Sequence, residues 1–205
     1  MRKSALVTAI GFVLLGVPAA HALDEQAGEA RAIQACDERL CRMLVQKNPT
    51  GEDLKCRLTK TWAKSTIKEA DQRKLKWGFG DARCTVDISI SRAAIVGALN
   101  GGKESKFWAP PHTADCVVEQ DGQIKPVKAT LAPKIVFKGG KAEKIWINLM
   151  SVEGPPNVKT TLATAAQLND TVGLFHRAML KSVNRFIYKH CPNSYPQLQA
   201  KAAGK

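Results

Sequence analysis

The residues of this 205-residue chain with the most constrained chemistry are six cysteines: Cys36, Cys41, Cys56, Cys84, Cys116 and Cys191. An even number of cysteines in an exported chain points to disulfides. A zinc site would call for a Cys-x-x-Cys or Cys-x-x-His pair, which the sequence lacks, so no metal is expected. Cys36 and Cys41 are separated by five residues, roughly 7.5 Å of helical rise, too far to bridge easily within one helix. The expected pairing is Cys41 with Cys56 across the Asn48-Pro49-Thr50-Gly51 turn, Cys84 with Cys116 between strands, and Cys36 with Cys191 joining the first helix to the last.

Beyond the leader there are three histidines: His112, His176 and His190. None has the Glu-x-x-His or His-x-x-x-His neighbour that sets two ligands on one helical face. His112 with Asp115 is a possible acid–base pair, and His176 could face a cavity beneath a covering helix. No Gly-x-Ser-x-Gly nucleophile elbow occurs, and paired cysteines leave no thiolate. Gly78-Phe79-Gly80 leads into a strand, whereas phosphate-binding glycines precede a helix, so it reads as a loop. These features point away from an enzyme and call for no cofactor.

Basic residues form two rows at helical spacing: Lys60, Lys64 and Lys68, and Arg177, Lys181, Arg185 and Lys189. The whole chain carries a net charge of +13, which favours anionic partners. Outside the cytoplasm these are an anionic lipid, an acidic polysaccharide or an acidic envelope protein. Nucleic acid is not expected, since neither a recognition-helix pattern nor an aromatic RNA-binding signature is present.

The elements that must position these groups follow from periodicity. Ala165, Leu168, Val172, Phe175, Met179, Val183 and Phe186 recur at steps of three and four, predicting one long helix over 161–190 that covers the core. A first helix is expected over 24–45. The segment 53–62 alternates like a strand, although Leu54, Leu58 and Trp62 also fit a helix; 65–73 reads as a short polar helix.

Ala82 to Ile90 alternates cleanly, with Ala82, Cys84, Val86, Ile88 and Ile90 on the inner side. Ser91 caps a short helix. Further strands follow over 112–120, with Ala114, Cys116 and Val118 inward, and after Asp121-Gly122, with Val127, Ala129 and Leu131 inward. Gly139-Gly140 joins two more, over 134–138 and 141–152. The last has apolar residues on both faces: Ile145, Ile147 and Leu149 alternate with Trp146, Asn148 and Met150.

The expected fold is α+β: an antiparallel meander of about four to five strands against a long C-terminal helix, with an N-terminal helix and disulfide staples. A curved sheet gripping a helix, as in helix-grip or cystatin-like architectures, satisfies this order, but such a likeness is architectural and implies no activity.

Arg2 and Lys3, the apolar run from Ala5 to Val17 and Ala20-His21-Ala22 make a signal peptide over 1–22. Removing Arg2 and Lys3 with it lowers the charge from +13 to +11. The remainder reads as one domain over 23–197 and a flexible tail over 198–205, in the periplasm or secreted. The leading functional expectation is a non-enzymatic carrier of an anionic or amphiphilic ligand, held between sheet and long helix by Trp146, Met150, His176, Arg177, Lys181 and Arg185. The alternatives are an envelope interaction protein with a filled core and a basic docking surface, and, third, a hydrolase without a local motif.

Overall fold

The computed structural model describes residues 23–66 and 78–198. The expected leader, most of the 65–73 helix, Trp77 and the tail after Leu198 lie outside the described residues. The protein is α+β, with the elements α1 (Glu29–Gln46), β1 (Leu54–Trp62), β2 (Ala82–Ile90), α2 (Arg92–Asn100), β3 (Glu104–Trp108), β4 (His112–Gln120), β5 (Gln123–Leu131), β6 (Lys134–Lys138), β7 (Lys141–Trp146), β8 (Leu149–Glu153), α3 (Pro156–Val172), α4 (His176–Arg185), a π-helical turn (Phe186–His190) and α5 (Cys191–Ser194).

Five strands form one antiparallel sheet in the order β1-β2-β4-β5-β8, and three form a second in the order β3-β6-β7. The 54–62 segment is a strand throughout, paired with β2 over its full length. The Asp121-Gly122 and Gly139-Gly140 hairpins fall where turn chemistry places them.

The 141–152 segment is not one strand. It leaves the three-stranded sheet after Trp146 and joins the five-stranded sheet at Leu149. The neighbouring strands change sheets at Ala109-Pro110-Pro111 and Ala132-Pro133, where proline has no N–H to continue a ladder. Ala109 N–H donates to Pro133 O at 2.9 Å and Ala132 N–H to Asn148 O at 3.1 Å, so the breaks on neighbouring strands are hydrogen-bonded to each other. Asp170 completes the corner, accepting from Ile147 N–H and Asn148 N–H, each at 2.7 Å.

The single helix expected over 161–190 is corrected to several pieces. It starts earlier, with Pro156 in its first turn, and stops at Gly173, whose φ of 69° suits glycine. Gly173 N–H donates to Asn169 O, and the buried Asn169 side chain accepts from Phe175 N–H at 3.3 Å. The apolar row therefore does not lie on one continuous face: Val172, at the break, is 71% exposed.

The disulfides are Cys36–Cys56, Cys41–Cys191 and Cys84–Cys116. The third is as expected, between residues directly opposite on β2 and β4. The other two expected pairs are corrected by exchange of partners. Five residues turn a helix by about 140°, so α1 presents Cys36 and Cys41 to different neighbours. The register of α1 along β1, marked by Glu29 against Thr61 and Arg39 against Lys55 O, brings Cys36 to Cys56. Cys41 is left to meet Cys191 in a cluster with Met43, Leu44, Ile95, Tyr195 and Leu198.

Candidate functional site

An apolar groove of about 630 Å³ lies between the five-stranded sheet and α3. Its origin is side-chain size. Ala82, Ala114 and Ala129 face it from the sheet and Ala165 and Ala166 from α3, while Trp62, Leu131, Ile147, Leu149 and Leu162 contribute larger apolar walls. Five alanines in the layer between a sheet and a helix leave space that leucine or valine would fill. The Cys84–Cys116 disulfide also lines the groove and joins two adjacent strands across its floor. Most of the inward residues expected from strand alternation are found here, whereas Ile88 and Ile90 of β2 pack in the cluster around Cys41 and Cys191. Val118 and Val127 also line the groove and pack against the fully buried Val158.

A second apolar cavity, about 410 Å³, separates α1 and α2 from β3, β6 and the α4 region. Leu40, Leu54, Phe107, Ile135, Val183 and Phe186 are among its walls. A third depression, about 810 Å³, lies beside α1 and is of mixed charge. Several of its ionic groups are committed to local structure: Arg42 pairs with Glu38 at 2.8 Å, Arg92 donates to Asn48 O at 2.8 Å, and Asp53 accepts from Arg92 N–H at 2.9 Å. The apolar groove is the better candidate ligand site, because small-molecule sites are concave and predominantly apolar.

The residues proposed from sequence do not converge on this groove. Arg177, Lys181 and Arg185 form an exposed row on α4, while Leu180 and Val183 of the same helix pack towards Ala98, Phe137 and Ala142. His176 stands within 3.2 Å of Glu143 O. Met150 is 58% exposed. Ile147 and Leu149, on either side of the break, line the groove instead. Of the Lys60-Lys64-Lys68 row, Lys60 lies in strand β1 and pairs with Glu29 at 3.2 Å, and Lys68 lies outside the described residues.

Trp146 belongs to the face of the three-stranded sheet opposite its packed side. Strand register sets Trp108, Lys134 and Trp146 side by side, with Lys134 Nζ 3.8 Å from the Trp108 ring centre and 5.6 Å from that of Trp146. Trp108 is 63% exposed.

The expected His112–Asp115 pair is also corrected. Residues three apart on a strand point to opposite faces. His112 Nε2 accepts from Ser89 N–H at 3.0 Å, its Nδ1 lies 2.6 Å from Pro110 O, and Asp115 pairs with Lys128.

A polar chain missed from sequence runs between the chain ends: Asp37 Oδ2 lies 2.5 Å from His190 Nε2 and 3.2 Å from the Tyr195 hydroxyl, and His190 Nδ1 lies 3.4 Å from Ser194 Oγ. An i, i+4 pair of polar residues at a helix end was its only sequence signal. Cys41 lies beside Asp37 and His190, but its sulfur is committed to the disulfide, so the three do not make a ligand set.

No family model, curated protein or solved structure matches the chain. Its class rests on what is described above: an α+β protein with three disulfides, as suits an extracytoplasmic compartment, and an alanine-lined groove between sheet and helix. Among the described residues, no helix is long and apolar enough to cross a membrane.

Proposed function

We propose that the protein is an exported, non-enzymatic carrier, working in the periplasm, that holds the apolar part of a small amphiphile between the five-stranded sheet and α3. The observation that carries this reading is the groove itself. Its volume, about 630 Å³, is within the range of small-molecule sites, and its walls are almost wholly apolar. A purely structural domain would gain stability by filling such space, since each missing methyl group forfeits contacts. The exposed row on α4 is not at this groove, so headgroup recognition is not assigned to Arg177, Lys181 or Arg185.

Native mass spectrometry of protein isolated from the exported fraction, followed by solvent extraction, tests the reading, together with titration by a fluorescent long-chain fatty acid. A discrete bound amphiphile, and saturable fatty-acid binding lost in Ala114→Leu with the fold intact by circular dichroism, are expected. A ligand-free mass together with no saturable binding overturns the carrier and favours an interaction protein.

A further inference from the structure

We propose that the outer face of the three-stranded sheet docks on an anionic lipid surface. This stands independently of what the groove holds. Strand register aligns three rows on this face: Trp108–Lys134–Trp146, Lys106–Val136–Lys144, and Glu104–Lys138–Lys141. Five of the nine residues are lysines, and Glu104 is the one acid among them. The opposite face carries Phe107, Ile135, Phe137 and Ala142 into the packing with α2 and α4, so the lysine face cannot turn inward.

Two indoles flank Lys134, the nearer one exposed over most of its surface. Indoles favour the headgroup level of a bilayer, where an apolar ring and a polar N–H are both accommodated. Lysines around them are drawn to anionic headgroups. The face is a sheet surface outside the cavities described above, and it suits a planar partner better than a single extended chain.

The test is co-sedimentation of the full-length processed protein with vesicles of phosphatidylglycerol and phosphatidylcholine, against phosphatidylcholine alone, over a range of salt. Binding to the anionic vesicles that falls as salt rises is expected. Each lysine removed should weaken partitioning about five-fold, so Lys106→Gln with Lys144→Gln should weaken it about 25-fold. Trp108→Ala should weaken it with little change in salt dependence. Equal binding to neutral vesicles, or a double variant that binds like the parent, overturns the proposal. So does displacement from vesicles by soluble polygalacturonate at lower charge concentration than phosphatidylglycerol, which would make the partner an acidic polysaccharide.

A separate observation concerns the start of the folded chain. Leu23 N lies 2.9 Å from Asp81 Oδ2, whose partner oxygen accepts from Lys64 N–H at 2.8 Å, and Asp81 is only 7% exposed. The Ala20-His21-Ala22 pattern places leader cleavage immediately before Leu23. We infer that cleavage there completes the fold electrostatically. Water adds across the Ala22–Leu23 peptide bond, Ala22 leaves with a carboxylate, and the Leu23 amide becomes an α-ammonium ion-paired to Asp81.

A partnered ammonium has its folded-state pKa raised, so its stabilisation is full below the free α-amino range, near 8, and is lost as pH rises through the higher folded value. Intact mass of the exported protein should show Leu23 as the first residue. A chain starting at Leu23 should melt above one that retains Ala22 at pH 7, and the gap should close in strong alkali and on acetylating Leu23. A different mature terminus, or a gap that survives acetylation, overturns the inference.

Discussion

The Glu29 carboxylate accepts from Thr61 N–H at 2.7 Å and from the Thr61 hydroxyl at 2.9 Å, joining the first turn of α1 to the far end of β1. Its side chain is fully buried and Lys60 Nζ lies 3.2 Å away. Burial alone pushes the carboxyl pKa up, but the Thr61 and Lys60 hydrogen bonds outweigh it and hold the group below its ordinary value of 4.5. A depressed pKa means the stabilisation is full above the unfolded value and is lost as pH falls through the folded one. Glu29→Gln should therefore cost about 1–3 kcal/mol near neutrality and flatten the acid limb of a denaturation-versus-pH profile below about pH 4.5. An unchanged acid limb would remove Glu29 as its source.

Asp170 holds both amides of the strand corner, Ile147 N–H and Asn148 N–H. Asn148 adopts a φ of 49°, an uncommon conformation outside glycine that this contact helps to hold. Asp170→Ala should lower stability by about 3–6 kcal/mol, as expected for two hydrogen bonds to a charged acceptor. Asp170→Asn, with one acceptor oxygen, should lose about half as much. Urea midpoints at constant slope measure both.

The disulfides should rank by the loops they close. Cys41–Cys191 spans 150 residues and Cys84–Cys116 spans 32. Loop entropy assigns them about 5 and about 4 kcal/mol respectively. Peptide mapping without reduction should recover Cys36 with Cys56 and Cys41 with Cys191. Paired alanine variants should lose stability in the predicted order.

Asp37, His190 and Ser194 resemble a proton relay, yet Ser194 is exposed and lies outside the walls of both apolar cavities. Asp37 and His190 tie α1 to the C-terminal turn, so His190→Ala should lower the melting temperature. Ser194→Ala should leave it unchanged, and a fluorophosphonate should not label Ser194. Labelling abolished by Ser194→Ala would bring back hydrolysis.

Local alternation was enough to read β2, β4 and β5, but not β3, which no expectation covered, nor the division of 141–152 into β7 and β8. Ala82 to Ile90, His112 to Gln120 and the Asp121-Gly122 hairpin follow from a period of two and from turn residues, and they place Ala82, Ala114 and Ala129 on the side where the groove lies. The groove was not legible, because it depends on alanines from α3 meeting alanines from the sheet. The helix break was only partly so: Gly173 fits an apolar row as well as it fits a helix end, and buried Asn169, which satisfies the Phe175 amide, decides between them.

Residue type and spacing thus determined the α+β class, the disulfide chemistry, the strand faces and the basic character of the chain, since these depend on neighbours along the backbone. Tertiary structure decided partners. The two exchanged disulfides follow from how α1 lies along β1. A regular hairpin from Gly139-Gly140 would set Lys134 opposite Ile145, but a bulge between Val136 and Phe137 shifts it to Trp146. That one-residue shift gathers Trp108, Lys134 and Trp146 on one face, and register is a property of paired strands that neither strand carries by itself.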